Sequence, residues 1–139
     1  MESLHMETTN VNILVVDDDE TIRRNIEKTL EQSEFIVHLA NGYSQAVQIA
    51  EKHEFGAILL DIIMPDSDGT LSRSTGIDLL KLFKQKYPNI PIIMLSSLFD
   101  VDLATSLVTD FGAFRFLLKD AFPSGDTLVL HIKEALQAL

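Results

Sequence analysis

Short apolar runs alternate along this chain with longer segments in which apolar residues recur every three or four positions. The short runs predict buried strands, and the longer recurrence predicts amphipathic helices. The predicted strands cover residues 11–16, 35–40, 56–61, 91–97 and 113–119. The predicted helices cover residues 18–33, 42–53, 76–87, 101–112 and 125–139. Residues 62–75, which include Pro65 and Gly69, are predicted to form a long polar loop.

A strand is followed by a helix five times, and this order predicts the α/β class. Because the strands are apolar on both faces, they should form a parallel sheet that helices cover on both sides. Right-handed crossovers then give a doubly wound (βα)5 sandwich with five parallel strands. The predicted domain spans residues 11–139, after a flexible polar lead-in at residues 1–10. In such a sheet, ligands bind at the carboxyl ends of the strands.

The composition excludes several classes of protein. The chain has 139 residues and a net charge of −10, so its average surface should repel nucleic acid. It has no cysteine, which rules out disulfides and cysteine-ligated metal centres. No apolar run is long enough to span a bilayer, and the N-terminus lacks the apolar stretch of a signal peptide. We therefore expect a cytoplasmic protein that contacts neither membrane nor nucleic acid.

Polar side chains stand at the ends of four predicted strands. In chain order, these strand ends carry Asp17 with Asp18, then Asp61, Ser96 and Lys119. The ends share one edge of a parallel sheet, where three carboxylates would repel one another unless a cation compensates them. Mg²⁺ binds one or two carboxylates together with a substrate phosphate, and hydroxyl and ammonium groups donate to phosphate oxygens. The set fits one reaction, the attack of a carboxylate on phosphorus to form an aspartyl phosphate.

Four stretches of the sequence resemble the signatures of response-regulator receiver domains, the CheY-like modules of two-component phosphorelays. They read ILVVDDDETIRRNIEKTL, AILLDIIMPDSDG, PIIMLSS and GAFRFLLK, and they occur in this order at the predicted strand ends. The resemblance extends from about Val11 to the C-terminus. It implies a flavodoxin-like fold and a regulatory phosphoacceptor rather than an enzyme. Two reactions of its own are implied, Mg²⁺-dependent self-phosphorylation from small phosphodonors and slow self-dephosphorylation.

The resemblance also assigns metal and acceptor roles to individual residues. It makes Asp61 the aspartate that is phosphorylated. Asp18 would bind Mg²⁺, or Mn²⁺ in its place, directly, and Asp17 would bind it through water. The backbone carbonyl of Ile63 would complete the protein ligands.

Three further positions take switch or contact roles by the same resemblance. Ser96 is the switch hydroxyl, Phe116 the switch aromatic, and Lys119 the lysine that contacts the phosphoryl group, although core packing alone also explains Phe116. The implied donor is a phosphohistidine on a sensor histidine kinase or a histidine phosphotransfer protein. The implied output is contact with a downstream protein, and a homodimer through the fourth and fifth helices is left open.

Two alternatives compete with this interpretation. The string DSDGT at residues 66–70 resembles the nucleophile motif of haloacid-dehalogenase-type phosphatases, which would make Asp66 the reactive carboxylate. However, Asp66 does not stand at a strand end, and nothing like the paired metal-binding acids of those phosphatases follows Lys119. The second alternative is a receiver-like docking module that works without phosphorylation. We prefer the phosphoacceptor because the four strand-end positions coincide.

The sequence departs from the receiver pattern in three places. Residues 70–75, TLSRST, lengthen the loop after the third strand, either as a tolerated insertion or as a contact with a partner. Asp120 stands where receivers usually have proline, so we predict a trans bond between Lys119 and Asp120. Neither Ile63 nor Leu98 offers a polar group that could orient an attacking water. Self-dephosphorylation should therefore be slow.

Overall fold

The structure, a computed structural model, describes residues 10–98, 100–121 and 125–138. Apart from Asn10, the predicted lead-in lies outside the described residues. The strands are β1 (Asn12–Val16), β2 (Ile36–Ala40), β3 (Phe55–Asp61), β4 (Met64–Pro65), β5 (Leu71–Ser72), β6 (Ile92–Ser96) and β7 (Arg115–Leu118). The helices are α1 (Glu20–Glu31), α2 (Tyr43–Ala50), α3 (Arg73–Lys86), α4 (Val101–Thr109) and α5 (Gly125–Gln137).

Five of the strands form one parallel sheet in the order β2-β1-β3-β6-β7. The chain begins with β1, beside the edge strand β2, and then adds β3, β6 and β7 on the other side of β1. Helices cover both faces of the sheet. The predicted doubly wound α/β class is therefore confirmed. The strand order brings the carboxyl ends of β1, β3, β6 and β7 next to one another along one edge.

Successive residues of the central strands point into two separate cores. In β1, Leu14 and Val16 belong to the core beneath α2, α3 and α4, whereas Ile13 and Val15 belong to the core beneath α1 and α5. All four side chains are fully buried, and burial of an aliphatic side chain of this size contributes about 1.5 to 3 kcal/mol. Helices on both faces thus explain why the strands are continuous apolar runs rather than alternating ones.

The segment predicted as a long loop, residues 62–75, contains regular structure, so that prediction was wrong. β4 and β5 pair as a short antiparallel hairpin, and α3 begins at Arg73 rather than at Gly76. The helix starts early because Ser72 is its N-cap, with the Ser72 hydroxyl accepting a hydrogen bond from the Ser74 amide at 3.1 Å. Half of the inserted stretch at residues 70–75 is therefore the first turn of a helix.

The other element boundaries differ from the predicted ones by a few residues. α4 ends at Thr109 instead of Gly112, and Gly112 has a φ of +80°, the left-handed conformation that glycine adopts after a helix end.

No helix within the described ranges combines the length and the apolar character needed to cross a membrane.

Candidate functional site

The site lies where β1 and β3 end side by side. Asp17 directly follows β1, and Asp61 is the last residue of β3. Both carboxylates are buried, with only 3% of the Asp61 surface exposed, and parallel pairing of the two strands fixes their separation. Asp18 follows Asp17 and is exposed to solvent. The predicted convergence of these three acids is therefore observed.

The segment from Asp17 to Asp19 is held by both backbone and side-chain hydrogen bonds. The Asp17 amide donates to the Ala40 carbonyl at 3.1 Å, which continues the β1–β2 pairing by one residue. The Asp19 amide donates to Asp17 Oδ1 at 2.9 Å. Asp19 in turn caps α1, because its carboxylate accepts from the Ile22 amide at 3.2 Å. The acid run is thus both the end of a strand and the start of a helix.

Lys119 joins the two buried acids. Its Nζ lies 2.7 Å from Asp17 Oδ2 and 3.1 Å from Asp61 Oδ1. Asp17 Oδ2 has no accessible surface and accepts no hydrogen bond of good geometry from the described residues, so its contact with the ammonium is an ion pair that leaves lone pairs unsatisfied. One ammonium group therefore neutralises part of the charge of two carboxylates, and an uncompensated negative charge remains at the site.

The surroundings of Asp61 raise the pKa of its carboxyl group strongly. Burial, followed by the charge of Asp17, raises the pKa of Asp61 to about 7, although the charge and hydrogen bond of Lys119 oppose that rise. For Lys119 itself, burial lowers the pKa, but the close contact with Asp17 and the negative charges of Asp61 and Asp17 outweigh burial and raise the pKa. The lysine is therefore cationic at neutral pH, whereas Asp61 is balanced between its two protonation states until another cation arrives.

The donor set fits a hard divalent cation. Carboxylate oxygens of Asp17, Asp18 and Asp61 lie within 4.8 Å of one another, so one ion could contact all three residues. The unsatisfied lone pairs of Asp17 Oδ2 are a second sign that the site is built for an additional positive charge. The role of the Ile63 carbonyl as a further ligand stays a prediction.

The two predicted switch residues lie on the neighbouring strands. Ser96 ends β6, is buried, and its hydroxyl oxygen accepts a hydrogen bond from the Leu98 amide at 3.1 Å. Phe116 lies on β7 opposite Met94 of β6, and its half-buried ring packs against the core beneath α4. Their positions match the prediction, and their movement stays a prediction.

Asp66, the rival nucleophile, is in the turn of the β4–β5 hairpin. Its Oδ1 accepts hydrogen bonds from the amides of Asp68 at 2.9 Å and Thr70 at 3.1 Å. Gly69 completes the turn with a φ of +83°, a conformation that other residues adopt at a cost. The carboxylate of Asp66 therefore stabilises its own turn, and the DSDGT string has a structural explanation.

The residue that replaces proline after Lys119 causes no unusual backbone. The Lys119–Asp120 peptide bond is trans, as predicted, and Asp120 lies exposed in a 3-10 turn that runs from Lys119 to Ala121.

Two residues next to the site were missed by the sequence analysis. Gly76 of α3 lies directly against the end of β3, where a β-carbon would stand 2.6 Å from the Asp61 carbonyl oxygen and would clash with that of Ile62. Arg23 of α1 donates from Nη1 to the Asp17 carbonyl at 2.8 Å. The position of Gly76 at the predicted start of a helix was a visible signal for the first residue. No sequence pattern points to the second, a side-chain hydrogen bond to one specific carbonyl.

Comparison with known proteins agrees with this geometry. The family described as response regulator receiver domain matches residues 13–133. The DNA-binding transcriptional regulator NtrC of Proteus hauseri is 31% identical over 119 residues, which are 86% of this chain and 23% of that protein. The chain therefore spans about a quarter of the length of this relative.

Solved structures match over nearly the whole chain. The crystal structure of the receiver domain of NtrX from Brucella abortus has a TM-score of 0.78 at 27% identity, and the match covers 91% of this chain and 99% of that one. The solution structure of the beryllofluoride-activated NtrC4 receiver domain dimer has a TM-score of 0.77 at 28% identity, and it covers 91% and 96% of the two chains.

Proposed function

This chain belongs to the response regulator receiver domain family, and from that premise we propose that it accepts a phosphoryl group on Asp61 and thereby changes a protein-binding surface. The observation that carries the choice of Asp61 is the position of Lys119. Its ammonium contacts a carboxylate oxygen of Asp61 at 3.1 Å at the mouth of β3, whereas Asp66 is engaged with its own turn.

The chemistry follows from the groups around Asp61. A carboxylate oxygen of Asp61 forms a bond to phosphorus while the bond from phosphorus to the donor's imidazole nitrogen breaks, and the electron pair stays on that nitrogen. Lys119 stabilises the negative oxygens that gather at the site. Mg²⁺, or Mn²⁺, held by Asp17, Asp18, Asp61 and the Ile63 carbonyl would supply further positive charge and keep Asp61 ionised.

The switch follows from the change in charge. A phosphoryl group gives Asp61 additional negative oxygens that demand donors. The Ser96 oxygen now accepts from the Leu98 amide, and its O–H proton remains to donate to the phosphoryl group. Movement of Ser96 toward Asp61 would vacate space beside β6, into which Phe116 of β7 could rotate. The surface formed by α4, β7 and α5 would change as a result.

The partners are those that this chemistry requires. The donor is a phosphohistidine on a sensor histidine kinase or a histidine phosphotransfer protein, and the output is contact with a downstream protein. Because the relative NtrC is about four times longer than the match, an effector module on the same protein is one form that this output takes. The activated NtrC4 receiver is a dimer, which supports a homodimer as a second form.

Intact mass after incubation with acetyl phosphate and Mg²⁺ tests the acceptor. We expect one added phosphoryl group on the wild type and on Asp66→Asn, and none on Asp61→Asn. Asp66→Asn is the matched control, because it alters an exposed carboxylate five residues away. Loss of the adduct in Asp66→Asn alone would move the reactive group to the hairpin. An unmodified wild type, also in the presence of a phosphohistidine donor, would favour a docking module that works without phosphorylation.

A further inference from the structure

An arginine outside the acid cluster contacts its backbone. Arg23 lies on the first turns of α1, is half-buried, and donates from Nη1 to the Asp17 carbonyl oxygen at 2.8 Å. Four acids stand at residues 17–20, yet within the described part of the chain no ion pair of Arg23 is found. Its charge is therefore directed at a neutral carbonyl instead of the nearest carboxylates.

That carbonyl belongs to the peptide that links Asp17 to Asp18. The other polar atoms of Asp17 are also held. Its amide donates to the Ala40 carbonyl, its Oδ1 accepts from the Asp19 amide, and its Oδ2 contacts the Lys119 ammonium. Asp18 is different, since its side chain is exposed to solvent. The direction in which the Asp18 carboxylate points depends on the orientation of the peptide before it, and Arg23 holds that peptide.

We infer that Arg23 is a positioning residue that aims the Asp18 carboxylate at the divalent cation. This inference rests on the proposed function, because it concerns the cation that the acid cluster fits. A hydrogen bond from a charged donor is among the stronger ones available to a carbonyl, and groups that orient metal ligands from outside typically change metal affinity about 10- to 100-fold.

Charge and positioning predict opposite effects when the arginine is removed. If Arg23 acted only as a nearby positive charge, Arg23→Gln would strengthen Mg²⁺ binding, because the guanidinium that repels the cation would be gone. If Arg23 positions Asp18, the same substitution weakens binding. The sign of the change therefore separates the two roles without reference to phosphorylation.

The neighbouring arginine provides a matched control. Arg24 is on the same helix turn but faces solvent, where it pairs with Glu20 and Glu27. Arg24→Gln removes the same charge from nearly the same place and leaves the Asp17 carbonyl bond intact. Exposed pairs of this kind contribute little.

The experiment is an NMR titration of the full chain with Mg²⁺ alone, following backbone amides of the acid cluster. We expect the dissociation constant to rise on the order of tenfold in Arg23→Gln, and to stay equal or fall slightly in Arg24→Gln. Equal or tighter binding by Arg23→Gln would overturn the inference. A wild type that binds no Mg²⁺ would instead overturn the metal site of the proposed function, and the positioning role with it.

A charge-conserving pair covers the case in which Arg23→Gln does not fold. Arg23→Lys keeps the charge and replaces the planar guanidinium by a single ammonium, and Arg24→Lys is its control. Weaker Mg²⁺ binding by Arg23→Lys than by Arg24→Lys supports positioning. Identical dissociation constants for the two lysine variants, where Arg23→Gln is unfolded, would overturn it.

Discussion

At the scale of single residues, the site combines one hydroxyl and one ammonium with three carboxylates, and the residues two positions after Asp61 and after Ser96 are apolar. Ile63 stands two residues after Asp61, and Leu98 stands two residues after Ser96. Ile63 is near the acceptor in the chain, Leu98 is near Ser96, and neither side chain can hydrogen-bond a water. Hydrolysis of the aspartyl phosphate therefore depends on water that no side chain at these positions orients.

The lifetime of the phosphorylated protein follows from this arrangement. We expect the half-life of phosphorylated Asp61 to be well above seconds in the absence of a phosphatase. Ile63→Asn should shorten it on the order of tenfold, because an amide in that place can position the attacking water. Decay of the phosphorylated mass after removal of acetyl phosphate measures both values. Ile36→Asn, the same substitution at an exposed position at the amino end of β2, is the control. A wild-type half-life of seconds would contradict the prediction.

At the scale of elements, the sequence predicted most of what positions the site. Continuous apolar runs identified all five strands of the sheet. The polar residues at the strand ends identified the acids and the lysine that lie together at the site, namely Asp17, Asp18, Asp61 and Lys119. The hairpin was missed because strands of two residues have no period to detect. The early start of α3 was missed because its first turn is Arg-Ser-Thr, which has no apolar face and is started by the Ser72 cap.

Gly76 brings α3 into close contact with the end of β3. Gly76→Ala should destabilise the protein by about 1 to 3 kcal/mol, since its β-carbon would meet the backbone carbonyls of Asp61 and Ile62. It should also slow phosphorylation, because the clash is relieved only when α3 moves away from the end of β3, where the acceptor stands. Urea unfolding and the acetyl phosphate reaction measure the two effects.

The matched control is Gly42→Ala, at the start of α2. A β-carbon there has no heavy atom within 4 Å, and the φ of 173° is extended backbone that any residue adopts. Because Gly42 is the N-cap of α2, where glycine is preferred to alanine, we expect this variant to lose about 0.5 to 1 kcal/mol. Equal stability of the two variants would show that α3 adjusts freely and that the contact constrains nothing.

At the scale of the whole molecule, the acceptor site reduces the stability of the metal-free fold. The chain carries a net charge of −10, and Asp61 adds a buried negative charge beside Asp17. A carboxyl group with a raised folded pKa favours folding while it is protonated. This contribution is fully present below the ordinary value of 3.8 and is lost as the pH rises through about 7.

Asp61→Asn should therefore stabilise the protein in EDTA. At pH 8 we expect its free energy of unfolding to exceed that of the wild type by about 1 to 3 kcal/mol, less than the full pKa shift implies because the variant also loses its ion pair with Lys119. The difference should shrink toward pH 4. Denaturant unfolding across this pH range tests it, and a variant less stable than the wild type at pH 8 would contradict the electrostatic account.

The two-sided sheet also affects how such a sequence can change over time. Val15 and Val16 are neighbours in the chain, but they pack in different cores and share no side-chain partners. Substitutions in the two cores that lie more than about 7 to 10 Å apart and have no common partners combine additively in their effect on stability. Each face can therefore accumulate and compensate its own replacements without reference to the other. The residues on the two faces of one strand can thus change almost independently during evolution, while the acids at the end of the strand stay in place.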